Sequence, residues 1–204
     1  MSAPACSVLR LPPGNFTITA MNRAIFLDRD GTMIAEENYL SKPEQVKIFP
    51  ATRVGLKKLA DAGFKLIIVS NQSGIGRGYF TLADVDKVNE KLCADLARDG
   101  IRIGKIYIAP EKPEDPSRGR KPSPAFLFDA REEFGLDLAQ CFMIGDKLID
   151  LECGWNAGVR QSLLVRTGYG AREEQKSPAA VSRAIVVDDL AGAADWILEH
   201  FKPL

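Results

Sequence analysis

Three absences narrow the class of protein that this sequence encodes. No apolar run approaches the roughly 18 residues of a membrane-spanning helix, so no membrane span is predicted. The 27 Lys and Arg balance the 27 Asp and Glu, which gives no electrostatic support for binding to nucleic acid or to a membrane surface. The four cysteines form no Cys-x-x-Cys pair, and a chain that can build a full core does not need a disulfide framework. We therefore expect reduced thiols and a cytoplasmic protein.

The first 21 residues show no pattern of their own. They contain no apolar segment like that of a signal peptide, and Pro12-Pro13-Gly14 would end any helix or strand. Residues 1–21 are interpreted as an extension that is disordered or that precedes the true start. Residues 22–204 are predicted to form one domain, in line with the usual size of roughly 100–200 residues.

Short apolar runs then alternate with longer amphipathic segments. Six runs are strand candidates, at residues 24–27, 64–70, 106–109, 142–145, 162–166 and 184–187. Helical patterns lie between or after them, at about residues 51–62, 81–99, 122–135, 148–157 and 189–200. Continuously apolar strands separated by helices are typical of a parallel sheet covered on both faces. We predict a three-layer, doubly wound α/β fold without a large cap domain.

Polar segments follow four of the apolar runs. They are DRDGT at residues 28–32, SNQSG at 70–74, RGRKP at 118–122 and GDKLID at 145–150. In doubly wound folds, ligands bind beyond the carboxyl ends of the strands. We therefore expect these four segments to converge on one crevice.

Asp28 and Asp30 follow the first predicted strand. Residues i and i+2 of an extended chain point to the same side, and repulsion between two such carboxylates raises one pKa unless a cation is present. Mg²⁺ takes oxygen ligands and keeps phosphate and water in its shell, while the second carboxylate can hold a proton and act as a general acid. An isolated Asp-x-Asp-Gly is most often an ordinary turn, but the buried strand before it favours a functional site.

Asp146 follows the fourth predicted strand, and Asp150 comes four residues later. Alone, the pair fits a helix N-cap and a first-turn acid as well as it fits a metal site. Asp28 at a neighbouring strand end favours metal binding by Asp146. Asp150 keeps two interpretations, either a metal ligand or a residue that holds Lys147 or a ligand in place.

Lys121, Arg120 and Ser70 are the candidate phosphate contacts. A lysine in a loop framed by glycine and proline binds phosphate as a point charge, and an arginine can bind it bidentately. Hydroxyl, amide and backbone N–H groups in residues 70–74 can also donate to phosphate oxygens. A solvated basic loop and a plain strand-to-helix turn are the ordinary alternatives, and the order of the segments along the chain favours the functional ones.

The segments FLDRDGT, VSNQSG, RKPSP and IGDKLID resemble the four motifs of the haloacid dehalogenase-like hydrolases. NQSGIGRG, RKP and GDK are similar to its histidinol-phosphatase-type branch, which includes phosphatases of heptose bisphosphates. The resemblance implies that Asp28 is the nucleophile, that Asp30 is the proton donor and later the base, and that a phosphoaspartate forms. It further implies that Ser70 and Lys121 stabilise the transferring phosphoryl group. Mg²⁺ would bind to Asp28, the backbone oxygen of Asp30, and Asp146.

The same resemblance implies a small phosphorylated sugar as substrate. The reaction it implies is removal of the 7-phosphate of D-glycero-D-manno-heptose 1,7-bisphosphate. Histidinol phosphate or another small sugar phosphate is the alternative. The residues expected to contact the substrate are Asp28, Arg29, Asp30, Glu36, Glu37, Asn38, Tyr39, Asn71, Gln72, Ser73, Arg120 and Lys121.

Many relatives hold zinc in the loop before Arg-Lys-Pro. Here residues 109–119 contain no Cys or His, and a closed site needs about four such ligands, so no zinc is predicted.

A phosphoaspartate receiver or a phosphate sensor is the alternative from another class. Such a module shares the acidic pocket, the hydroxyl and the lysine, but it does not need a second acid two residues after the phosphorylated aspartate. Asp30 therefore favours an enzyme. We expect a monomeric one.

Overall fold

The computed structural model describes residues 22–37 and 39–201. The predicted extension at residues 1–21 and the candidate Asn38 lie outside the described residues. Within the described part, no helix is long and apolar enough to cross a membrane.

Six strands in the described part of the chain form one sheet in which every neighbouring pair is parallel. They are β1 (Ala24–Leu27), β2 (Lys65–Asn71), β3 (Ile103–Ala109), β4 (Phe142–Gly145), β5 (Gln161–Val165) and β6 (Ile185–Val187). Their order across the sheet is β3-β2-β1-β4-β5-β6. The chain thus winds outward in both directions from β1, and ligands of such sheets bind where the strand order reverses. The predicted doubly wound α/β fold is confirmed.

Eight α-helices cover the described sheet: α1 (Pro50–Asp61), α2 (Ser73–Gly76), α3 (Leu82–Ala97), α4 (Ala125–Phe134), α5 (Leu148–Ala157), α6 (Gly170–Lys176), α7 (Pro178–Val181) and α8 (Leu190–His200). Short 3₁₀ helices lie at Pro43–Gln45 and Leu138–Gln140. The predicted helix at residues 122–135 starts only at Ala125, because Pro122 and Pro124 restrict the backbone before it. The helices α2, α6 and α7 were not predicted, since each is too short to show an amphipathic period.

The side chains of β1 alternate between two apolar clusters, one on each face of the sheet. Ile25 and Leu27 pack in the cluster that includes buried residues of α1, α3 and α8. Ala24 and Phe26 pack in the cluster with residues of α4 and α5. Each fully buried Leu, Ile or Phe contributes about 1.5–3 kcal/mol relative to an exposed one. The central strand is therefore held from both sides, and its carboxyl end is a fixed platform for Asp28.

Candidate active site

The structure brings together side chains from the predicted polar segments at the carboxyl edge of the sheet. The backbone N–H of Asp28 donates to the carbonyl of Ile144 at 2.9 Å, which ties the end of β1 to β4. Lys121 Nζ lies 2.6 Å from Asp28 Oδ1 and 2.6 Å from Asp150 Oδ1. The Lys121 ammonium group thus links residues that are far apart in sequence.

Lys121 is almost fully buried between these carboxylates, with 3% of its surface exposed. Burial alone would lower the pKa of its ammonium group, but the charges of Asp150 and Asp28 outweigh this effect and the net shift is upward. Lys121 therefore stays charged, where it can stabilise anionic phosphoryl oxygens.

The carboxylate of Asp146 has one oxygen engaged and one bare. Its Oδ2 accepts a hydrogen bond from the Tyr169 N–H at 2.8 Å, while its buried Oδ1 has no hydrogen-bond partner among the described residues. Gly31 and Gly168 make room for this carboxylate, because a Cβ on either glycine would lie 2.2 or 2.3 Å from Oδ2. Both glycines have positive φ angles, +88° and +55°, which disfavour other residues.

This arrangement fits a hard divalent cation. Asp28, Asp146 and Asp150 each offer a carboxylate oxygen, and the three oxygens lie within 4.8 Å of one another. Burial, together with the charges of Asp28 and Asp150, raises the pKa of Asp146 to about 8. A divalent ion would remove this penalty by balancing the negative charge, and oxygen ligands are those that Mg²⁺ prefers.

Asp150 lies in the first turn of α5 and holds neighbouring groups in place. Besides the ion pair with Lys121, its Oδ2 accepts the backbone N–H of Lys147 at 3.0 Å. Lys147, and not Asp146, occupies the N-cap position of α5, so the N-cap interpretation of Asp146 is wrong. The structure thus shows contacts by which Asp150 holds Lys147 and Lys121 in place. Holding a neighbouring group in place was one of the two interpretations that the sequence left open.

Lys147 also adds a positive charge to the cleft. Its Nζ lies 3.3 Å from Glu36 Oε2 and 4.7 Å from the centroid of the Tyr169 ring. Burial raises the pKa of Glu36, and the charge of Lys147 partly offsets that rise. This ammonium group was not among the predicted substrate contacts because no sequence signal relates Lys147 to Glu36.

Asp30 faces the cleft and is held from behind by two side chains. Gln72 Nε2 donates to Asp30 Oδ2 at 2.7 Å and to Ser70 Oγ at 2.8 Å. Arg29 Nη2 lies 3.0 Å from Asp30 Oδ2. The side chain of Arg29 is only 1% exposed and contacts Asp30, and Arg29 is not among the residues that line the cleft. Its contact with the substrate stays a prediction.

The loop that carries Arg120 and Lys121 is fixed by side-chain to backbone hydrogen bonds. Asn71 at the end of β2 accepts the Lys121 N–H at 3.0 Å and donates to the Lys121 carbonyl at 3.1 Å. Ser117 Oγ donates to Glu111 at 2.7 Å and accepts the Arg120 N–H at 3.1 Å. The amide of Asn71 thus sets the position from which Lys121 reaches Asp28.

These groups surround a cleft of about 300 Å³. The predicted residues that line it are Asp28, Asp30, Glu36, Glu37, Tyr39, Asn71, Gln72, Ser73, Arg120 and Lys121. The residues not predicted as contacts are Leu40, Gly74, Phe80, Lys147, Ile149 and Asp150. Ser70 and Asp146 lie beneath this surface, at 2% and 0% exposure. Apolar lining residues carry no chemical signature, so the sequence could not distinguish them from core residues.

Comparison with known proteins agrees with this geometry. The family described as polynucleotide kinase 3 phosphatase matches residues 23–149, and the HAD-hydrolase-like family matches residues 119–193. The D-glycero-beta-D-manno-heptose-1,7-bisphosphate 7-phosphatase of Helicobacter pylori is 38% identical over 71% of this chain and 84% of its own. The D-glycero-alpha-D-manno-heptose-1,7-bisphosphate 7-phosphatase of Photorhabdus laumondii is 33% identical over 82% of this chain and 96% of its own.

A solved structure shows the same fold with a ligand. The D,D-heptose 1,7-bisphosphate phosphatase of B. bronchiseptica, complexed with magnesium and phosphate, has a TM-score of 0.81 and 29% identity. The alignment covers 88% of this chain and 99% of that one. With its converging motifs, its fold and these relatives, the chain belongs to the haloacid dehalogenase-like hydrolases and is a phosphatase.

Proposed function

We propose that this phosphatase removes the 7-phosphate of D-glycero-D-manno-heptose 1,7-bisphosphate, with Mg²⁺ and through a phosphoaspartate at Asp28. The observation that carries the proposal is the buried contact of Lys121 with Asp28 at 2.6 Å, beside the unpartnered oxygen of Asp146. A candidate nucleophile and a candidate phosphoryl-binding ammonium group thus lie at one end of the cleft, and a candidate metal-binding oxygen lies beneath it. The identity of the sugar is inferred from the names of the relatives.

The residues around Asp28 account for both chemical steps. An Asp28 oxygen forms a bond to phosphorus as the bond from phosphorus to the sugar oxygen breaks, and Asp30 gives its proton to that oxygen. Ionised Asp30 then takes a proton from a water molecule whose oxygen forms a bond to phosphorus, while the bond between phosphorus and Asp28 breaks and phosphate is released. Lys121 neutralises charge on the transferring group, and Ser70 donates a further hydrogen bond. Mg²⁺, held by Asp28, the Asp30 carbonyl and Asp146, would polarise the phosphoryl oxygens and orient them.

The rest of the cleft suits a sugar that carries a second anionic group. Glu36, Glu37 and Ser73 offer partners for hydroxyl groups, and Tyr39 and Phe80 form an apolar wall. Arg120 and Lys147 line the same cleft and are the candidate contacts of the distal 1-phosphate. Relatives of this chain act on either anomer according to their names, so the anomer has to be measured.

The proposal includes a monomeric protein that needs no zinc and that functions in the cytoplasm. The loop of residues 110–121 is held by the Glu111–Ser117 hydrogen bond, and the ring of Phe126 packs closely over Gly119. Among the described cysteines, Cys93, Cys141 and Cys153 are free, which supports a reducing compartment. Metal determination of the purified protein tests the zinc prediction, and stoichiometric zinc would contradict it.

Phosphate release with Mg²⁺ from both anomers of the heptose bisphosphate, from histidinol phosphate and from other sugar phosphates tests the substrate. We expect one heptose anomer to give the highest kcat/KM, with phosphorus NMR showing that the 1-phosphate is retained. Asp28→Asn should be inactive with every substrate. Preference for histidinol phosphate, or loss of the 1-phosphate, would refute the proposed substrate.

A further inference from the structure

A buried hydrogen-bonded path connects Asp30 to helix α3. Arg29 Nε lies 3.2 Å from both carboxylate oxygens of Asp30, and Nη2 lies 3.0 Å from Oδ2. On its other side, Arg29 Nη1 donates to Asn89 Oδ1 at 2.7 Å. Arg29 is 1% exposed and Asn89 6% exposed. The contact between Arg29 and Asn89 is therefore shielded from solvent.

Asn89 stands out on the face of α3 that packs against the sheet. Its neighbours Val85, Val88 and Leu92 on that helix are all buried apolar residues. A buried amide is costly unless it is hydrogen-bonded, and packing alone would be served better by leucine. The bond to Arg29 gives Asn89 a reason to occupy this position.

The rigid shape of the Arg29 guanidinium group links the position of Asn89 to the orientation of the Asp30 carboxylate. It is planar and rigid, so fixing one edge fixes the direction of the other edge. Asn89 holds the Nη1 side, and the Nε and Nη2 side then sets the plane and position of the Asp30 carboxylate. Gln72 contacts the same carboxylate at 2.7 Å from another element. Asp30 is thereby left with its open side toward the cleft.

We propose that Asn89 is a positioning residue for the reaction and acts through Arg29 to aim Asp30 at the leaving-group oxygen. The inference rests on the role of Asp30 as proton donor in the proposed function. In the first step, the bond between Asp28 and phosphorus forms, the bond to the leaving oxygen breaks, and the proton moves from Asp30 to that oxygen. An alkoxide is a strong base and leaves slowly without this proton, whereas a nitrophenolate is a weak base and leaves readily without protonation.

A leaving-group series distinguishes this role from a merely structural one. The kcat/KM values, which report on the first bond cleavage, are measured with phosphate esters from p-nitrophenyl phosphate to alkyl and sugar phosphates. We expect Asn89→Leu to lose about tenfold or more with the alkyl and sugar esters, as part of the 10²–10⁴-fold that a general acid contributes, and to change little with p-nitrophenyl phosphate. The plot of log kcat/KM against leaving-group pKa should become steeper. Asn89→Asp keeps the acceptor oxygen and should retain the slope of the unmodified protein.

Glu90→Gln, on the exposed side of α3, is the matched control and should leave the slope unchanged. A loss of equal size for all esters, or a slope unchanged in Asn89→Leu, would overturn the inference. If Asn89→Leu fails to fold, Asn89→Ala gives the same comparison with less side-chain volume. If the protein hydrolyses the aryl and alkyl esters but neither heptose bisphosphate, the proposed substrate fails, and the slopes still decide the role of Asn89.

Discussion

Replacement of Lys121 by methionine tests how the buried charges of the site are balanced. The side chain of Lys121 is 1% exposed, and its Nζ lies 2.6 Å from carboxylate oxygens of both Asp28 and Asp150. Methionine keeps an unbranched side chain but removes the charge and the hydrogen-bond donors. In the metal-free protein, the carboxylates would then remain buried without the cation that bridges them.

Removing one partner of a buried ion pair costs about 3–5 kcal/mol, a large part of a typical stability of about 5–15 kcal/mol. With a urea m value of about 1–3 kcal/mol/M, we expect the unfolding midpoint of metal-free Lys121→Met to fall by at least about 1 M near neutral pH. Burial raises the pKa of Asp150 to about 6 even though Lys121 opposes the shift. Loss of Lys121 raises this pKa further, so acidification should protonate Asp150 and reduce the loss of stability.

Urea unfolding followed by circular dichroism, in the presence of a chelator, measures the effect. Lys57→Met is the matched control, because Lys57 forms an ion pair with Asp61 in which both side chains are exposed. Exposed pairs contribute about 0–1 kcal/mol, so its midpoint should barely move. Equal midpoints for the two variants would refute the argument that Lys121 balances the charges of the site.

Three further predictions concern the same site. Gly168→Ala should weaken Mg²⁺ binding, measured by calorimetry, because the new Cβ would lie 2.3 Å from Asp146 Oδ2; unchanged affinity would contradict the packing. Asn71→Leu should lower kcat/KM by about tenfold or more, since both backbone hydrogen bonds that fix Lys121 are lost; a change in stability alone would contradict this role. Metal-free protein should lose stability as pH rises from about 4 toward 8, because burial raises the pKa of Asp146 to about 8 in the folded state, so that the folded protein holds a proton that the unfolded chain has lost. Mg²⁺ affinity should rise over the same pH range, because the ion binds the deprotonated carboxylate. A pH-independent Mg²⁺ affinity would refute that assignment.

The sequence predicted the fold well where apolar runs were unbroken. The bounds of β1 (Ala24–Leu27) and β4 (Phe142–Gly145) agree with the prediction because both strands are buried on both faces. The predicted start of β3 was late by three residues, since Gly104 and Lys105 follow Ile103 at the start of this edge strand and resemble a loop. Residues 170–181 were missed because α6 and α7 are short.

The candidate site was predicted in its chemistry and less well in its contacts. Strand ends in a parallel sheet converge, so the proximity of Asp28 and Lys121 follows from topology. Hydrogen-bond partners such as Asn89 and Tyr169 depend on how helices and loops pack, which no local pattern records. Arg29 illustrates the difference, because the resemblance placed it among the substrate contacts, whereas the hydrogen bonds of its buried side chain with Asp30 and Asn89 had no signal in the sequence.

Trapping the phosphorylated enzyme shows whether Asp28 is the nucleophile. Asp30→Asn lacks the base for the second step, whereas the first step proceeds with p-nitrophenyl phosphate because p-nitrophenolate leaves without a general acid, so the intermediate should accumulate. We expect mass spectrometry of acid-quenched Asp30→Asn to find phosphate on the peptide that contains Asp28, and Asp28→Asn to show none. Consumption of substrate without this phosphopeptide, or phosphate on a different residue, would show that Asp28 is not the nucleophile.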